Sequence, residues 1–229
     1  MPGFVIHMIH GNYILQRSGY DWNDEMRNSF MVGILMPDSE TGSQKDISHF
    51  LLPDSENKIL RVPEPDSFAA KYRQFLTEPF VIAYLAHLWL DKQFFEKFFP
   101  IYVHFLSENG KVTTDKDHVN QVYLPKQNQY ISVDELFSES FLYGDYTALN
   151  ARFIAEHHLK IPDKAEIENP IEEVNIKNFS RIRSDLEHYF SLPESDISHL
   201  KIFSKDVLEH FLMSEAANFL AYYEKKEGF

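Results

Sequence analysis

The segment between Pro79 and Pro100, FVIAYLAHLWLDKQFFEKFF, constrains this chain more than any other. It is apolar nearly all round, so it suits a central helix buried on every side rather than one with a wet face. A chain that builds such a helix must surround it with others. Yet the run carries His87 and Asp91, which at i and i+4 share one helix face. An aspartate there bears a large desolvation cost unless a cation or dense hydrogen bonding compensates it. A His–Asp hydrogen bond inside a core answers that demand; so does a metal ion.

Around this helix the pattern predicts an all-α, irregular bundle of six or seven helices, one domain over residues 1–229. A first helix is expected over Phe4–Gln16 and a second over Arg27–Met36, stopped by Pro37. Residues 37–65 read as a long proline-containing loop, a length often associated with function. Asp66 is placed to cap a helix over Ser67–Leu76. The central helix is expected to run from Phe80 to Phe99 and stop at Pro100. Residues 107–130 form a polar excursion with a strand-like piece at Gln121–Leu124. Ser132-Val-Asp-Glu135 is a capping box, opening a helix to about Ala155. An acidic connector spans 159–170, and two helices follow over about Ile171–Phe190 and Ser204–Lys226.

Several function classes are excluded. With only 8 Gly and no G-x-G-x-x-G or G-x-x-x-x-G-K-[ST], nucleotide binding of the Rossmann or P-loop kind has no support. The absence of Cys removes disulfides, thiolate nucleophiles and Cys-ligated metals. A formal charge of −13 disfavours nucleic acid as a partner but not a small phosphorylated substrate, because a bound dication reverses the local field. The longest apolar stretch is too short to cross a bilayer. The N-terminal run carries two His and reads as a helix rather than a signal peptide, so a cytoplasmic location is expected.

The candidate ligands lie on apolar backgrounds. Asp38 follows the second helix in FMVGILMPDS, and His49 follows in KDISHF. His7 and His10 occupy the first helix within FVIHMIHG. With His87 and Asp91 these form two His–carboxylate sets plus an N-terminal His, suited to zinc, manganese or iron. Asp46 or Ser48 is placed to orient a ligand.

The ordered series MPGFVIH, FMVGILMPDS, KDISHF and FVIAYLAHLWLD, covering residues 1–99, resembles the bacterial zinc-dependent phospholipase C family, in particular its shorter cytoplasmic-type relatives. The resemblance implies that family's helical fold, one or two divalent ions, most simply zinc, and metal-ligand roles for His7, Asp38, His49, His87 and Asp91. Asp91 would be the bridging carboxylate if two ions bind. Asp145, in FLYGDYTALNARF, resembles a further aspartate of those relatives; Asp38 and Asp145 are candidates both for ligation and for accepting a proton. The chain departs from the secreted members in its ordinary Met1. Where those members carry a second H-x-x-x-E pair, it offers only His104 and Glu108, past Pro100. The implied activity is hydrolysis of a phosphoester by metal-activated water. The alternatives are a non-catalytic metal-binding or helical interaction protein whose cluster fixes the helices, or a helical structural protein with no metal, its His and Asp residues hydrogen-bonded in the core.

Overall fold

The structure is a computed structural model that describes residues 3–163 and 167–227. Its centre is helix α5 (Pro79–Gln93), which buries Phe80–Leu88, Leu90, Asp91 and Gln93. Proline opens it, where a missing N–H costs nothing. Helix α1 (Phe4–Arg17) and helix α2 (Asp24–Gly33) pack against α5. Asn23 caps α2 by accepting from the Met26 N–H.

The α2–α5 crossing is close because residue 33 is glycine. A Cβ there would lie 2.8 Å from the Phe80 Cα. Helix α2 ends at Gly33, three residues before the predicted end and not at Pro37. Pro37 instead sits near the start of a 3₁₀ turn over Met36–Ser39, which delivers Asp38 to the top of α5. The long loop contains a short helix, α3 (Ser43–Ser48), followed directly by His49.

Helix α4 (Pro65–Lys71) begins one residue before Asp66, with Glu64 at its N-cap position. The Asp66 carboxylate is used elsewhere. It accepts from the Tyr222 hydroxyl at 2.8 Å and pairs with Lys226 at 2.7 Å, tying α4 to the C-terminal helix. Beyond α5, a π-helical stretch (Phe94–Phe98) carries the chain across Pro100 into α6 (Phe99–Tyr102). Pro100 does not end the helical run, because it falls in the first turn of α6.

The all-α expectation needs one correction. The polar excursion contains an antiparallel three-stranded sheet, ordered β1 (His104–Leu106), β2 (Gln121–Leu124), β3 (Gln129–Ile131). Val122 and Leu124 bury one face of β2, so the strand-like periodicity at 121–124 is real. The remaining architecture is mainly helical.

The Ser132–Glu135 capping box is present in both directions, but it opens only one turn, α7 (Val133–Leu136). Helix α8 (Leu142–Glu156) starts afresh after Phe141. Of the connector, residues 164–166 lie outside those described. The next helix begins later than predicted, with a 3₁₀ turn at Ile176–Asn178 and then α9 (Phe179–Ser191). Helix α10 (Lys205–Glu227) packs along α1. Among the described residues, no helix is long and apolar enough to cross a membrane.

Candidate metal centre

Three helices and one turn bring five of the predicted ligands together. His7 comes from α1, Asp38 from the 3₁₀ turn, His49 from the end of α3, and His87 and Asp91 from adjacent turns of α5. His7, His49, His87 and Asp91 have no exposure, and Asp38 has 6%. Two sets have donor atoms within 4.8 Å of one another: His7, His87 and Asp91, and Asp38, His49 and His87.

The backbone sets the chemistry of two imidazoles. His49 Nδ1 lies 2.9 Å from the Lys45 carbonyl, and His87 Nδ1 lies 2.8 Å from the Ile34 carbonyl. A carbonyl only accepts, so each Nδ1 holds a proton and donates it. When each ring is neutral, its Nε2 is therefore a bare lone pair. These two Nε2 atoms face one another at 3.3 Å. Two lone pairs that close repel, unless one ring takes a proton or a cation lies between them. The Ser48 hydroxyl donates to the Pro37 carbonyl at 2.8 Å and lies 3.2 Å from His49 Nδ1. It thus ties the Asp38 turn to the His49 ring. Asp46 points away, paired with Arg61 at 2.6 Å.

The carboxylates complete the frame. Asp91 lies 3.3 Å from His7 Nε2, 3.6 Å from His87 Nε2 and 3.8 Å from His49 Nε2. Asp38 lies 3.4 Å from His49 Nε2. Despite these approaches, neither Asp91 oxygen and neither His7 nitrogen has hydrogen-bond geometry to any partner among the described residues. The hydrogen-bonded His–Asp core therefore describes Asp91 poorly. A tetrahedral zinc with ligands at about 2.0–2.1 Å separates its donors by about 3.4 Å, and the observed separations cluster there. The donor set fits a divalent ion. Both triads use His87, whose single Nε2 lone pair serves one ion at a time.

The charges agree. Burial penalises the Asp91 carboxylate, but His87 and then His7 outweigh it and hold it well below the usual range. Burial likewise works against the His87 imidazolium, and Asp91 overcomes this and raises its pKa. Asp38, against its own burial, is held low by His49, His87 and Lys45. His7 is lowered to about 4, by burial and then by His87, and stays a neutral ligand.

Asp38 joins this cluster to a cleft of about 700 Å³. Lys45 and Arg181 line it on the Asp38 side; Lys45 contacts the Asp38 carboxylate at 2.8 Å, and Arg181 donates to the Asp38 backbone carbonyl at 2.6 Å. Phe4, Tyr143, Tyr146 and Tyr189 supply aromatic walls.

Asp145 is placed differently from the five. Its carboxylate accepts from the Lys201 N–H at 2.9 Å and the Ile202 N–H at 2.7 Å, and it belongs to neither ligand set. Helix α8 reaches the cleft instead through Tyr146, Thr147 and Asn150. His10 is buried one turn beyond His7, edge-on to Phe219, and belongs to neither set. His104 lies beside Tyr123 on the sheet with its ring tilted 43° to it, and Glu108 is exposed in the following turn. Arg181 and Tyr146 were not singled out from the sequence: neither has a partner at ligand spacing, and only the fold brings α8 and α9 over Asp38.

No family model matches the chain, and neither the curated proteins nor the solved structures yield a match. The resemblance to the zinc-dependent phospholipase C family therefore stays an expectation from the sequence motifs.

Proposed function

We propose that the protein is a metal-dependent phosphoester hydrolase that holds a divalent ion, zinc in the simplest case, on His49, His87 and Asp38, with Asp91 and His7 adjoining. The observation that carries the reading is the pair of Nε2 atoms at 3.3 Å, both of whose Nδ1 protons are committed to backbone carbonyls. A triad of protein ligands that leaves a position open is the usual arrangement of a catalytic ion, whereas structural zinc is closed by four. Bound there, the ion would supply a water of lowered pKa and Lewis-acid contact to a phosphoryl oxygen.

The protein's own groups fit that substrate. Lys45 and Arg181 bring two positive charges to the cleft beside Asp38 in a chain that is otherwise acidic. Their placement suits orientation of a phosphate, whose ionised oxygens accept charge-assisted hydrogen bonds from such side chains. Asp38 is the member of the cluster that borders the cleft, and His49, His87 and then the Lys45 ammonium on its Oδ1 favour its ionised form. It can ligate or accept a proton. The apolar surround of His7, His87 and Asp91 excludes water and strengthens each charge interaction. The aromatic walls favour a substrate with an organic group beyond its phosphate.

The test is a panel of phosphomonoesters and phosphodiesters, including 4-nitrophenyl phosphate, offered to chelator-stripped protein and to the same protein after zinc is restored. Hydrolysis that appears with zinc and is absent in zinc-treated His49→Ala is expected. Zinc-loaded wild type that hydrolyses none of the panel would contradict the reading.

A further inference from the structure

Tyr146 sits on α8 where the cleft meets the metal cluster. Its side chain is 7% exposed and lines the cleft beside Asp38, Lys45 and Arg181. The hydroxyl is fully buried and, among the described residues, has no hydrogen-bond partner. It is near enough to Asp91 for that carboxylate to act on it electrostatically, yet Asp91 is also without a hydrogen bond. Neither satisfies the other. Buried tyrosine hydroxyls normally find partners, and an orphan needs an explanation.

Packing does not supply one. The Tyr146 ring lies against Phe203, with centroids 6.3 Å apart, and a phenylalanine would make the same contact without stranding an oxygen. The hydroxyl is therefore left without a protein partner, and a ligand in the cleft that accepts its proton would satisfy it. A phosphoryl oxygen held beside Lys45 and Arg181, which line the same cleft, is such an acceptor.

We propose that Tyr146 is a catalytic residue of this site, its hydroxyl donating a hydrogen bond to a phosphoryl oxygen of the substrate. The assignment rests on the hydrolase reading above. Lys45 and Arg181 supply charge from one side of the cleft, and Tyr146 supplies a neutral, directional donor from α8. Such a donor aimed at developing negative charge lowers a barrier without reorganising during the reaction.

Tyr146→Phe removes this one atom. Three quantities separate the roles, measured on the full-length protein: zinc content, the melting temperature of the metal-free form, and affinity of the zinc-loaded form for orthophosphate by titration calorimetry. The variant is expected to hold zinc as wild type does and to melt no lower, since it loses an unpartnered oxygen. It is expected to bind orthophosphate roughly ten- to a hundredfold more weakly, the effect of losing a hydrogen bond to a charged group. Equal orthophosphate affinity in wild type and variant would overturn the role of Tyr146 and leave the hydrolase reading standing. A clearly lower melting temperature of the metal-free variant would overturn it too, by marking the hydroxyl as structural. Zinc-loaded wild type that binds no orthophosphate would overturn both.

Discussion

Asp91→Asn tests the electrostatics of the cluster at its centre. The substitution keeps the side-chain shape, removes the charge and weakens one candidate ligand. In the metal-free protein Asp91 has no hydrogen bond to lose. It has attraction to His7 and His87 across 3.3 and 3.6 Å, set against the cost of holding a carboxylate in the core. Removing one member of a buried pair usually costs about 3–5 kcal/mol, because the other charge is stranded. Here His87 can give up a proton, so no full charge is stranded, but its Nε2 then faces that of His49 as a second bare lone pair, and the metal-free variant is expected to lose about 1–2 kcal/mol, less than a stranded charge would cost. Zinc separates the two proteins. At a hundred times its dissociation constant it adds about 2.7 kcal/mol of stability, or roughly 5–11 °C in melting temperature for a chain of this size. At the same zinc concentration, a variant with affinity reduced a hundredfold keeps about 0.4 kcal/mol, or roughly 1–2 °C. Scanning calorimetry of both proteins, with and without zinc, reads these values directly. A metal-free variant destabilised by about 3 kcal/mol or more, or an equal zinc shift in both proteins, would refute the reasoning.

Three further outcomes follow from the same structure. Gly33→Ala drives a methyl into the Phe80 backbone and should cost about 1–3 kcal/mol in urea unfolding; unchanged stability would show that α2 and α5 do not meet there. Asp145→Ala strands the Lys201 and Ile202 amides and should cost about 1.5–3 kcal/mol with zinc content unchanged, whereas lost zinc would make Asp145 a ligand. Burial lowers His10 to about 3, so below pH 6.5 the unfolded chain binds a proton that the native state refuses. Stability of the metal-free protein should therefore fall with pH from 6.5 toward 3, by about 1.4 kcal/mol per unit for this group. His10→Leu should flatten that slope by one proton in urea unfolding at pH 5, 6 and 7, and an unchanged slope would contradict the assignment.

Parts of this were legible from sequence because they rest on local rules. The apolar run of α5, the i, i+4 placement of His87 and Asp91, and the Ser132–Glu135 capping box each need only neighbouring residues. The convergence of His7, Asp38 and His49 was expected from the ordered motifs, and the structure brings them to α5. Boundaries were less legible, for identifiable reasons. Pro37 looked like a helix stop, but α2 ends at Gly33 and Pro37 opens the 3₁₀ turn that carries Asp38. Asp66 looked like a cap, but its partners are Tyr222 and Lys226, more than 150 residues away. The break between α7 and α8 carries no proline or glycine at Ser138–Phe141 to announce it. The cleft was not legible, because Lys45, Tyr146 and Arg181 meet only through packing of three separate helices.

The proposed site places a cation between His49 and His87, whose Nε2 atoms lie 3.3 Å apart. The direct measurement is elemental analysis of wild type, His87→Ala and Asp91→Asn, each purified without affinity-tag metal and dialysed against limiting zinc. Near-stoichiometric zinc in wild type, lost in both variants, is the predicted result. Wild type that retains no zinc, and no manganese or iron when these are offered, would contradict it.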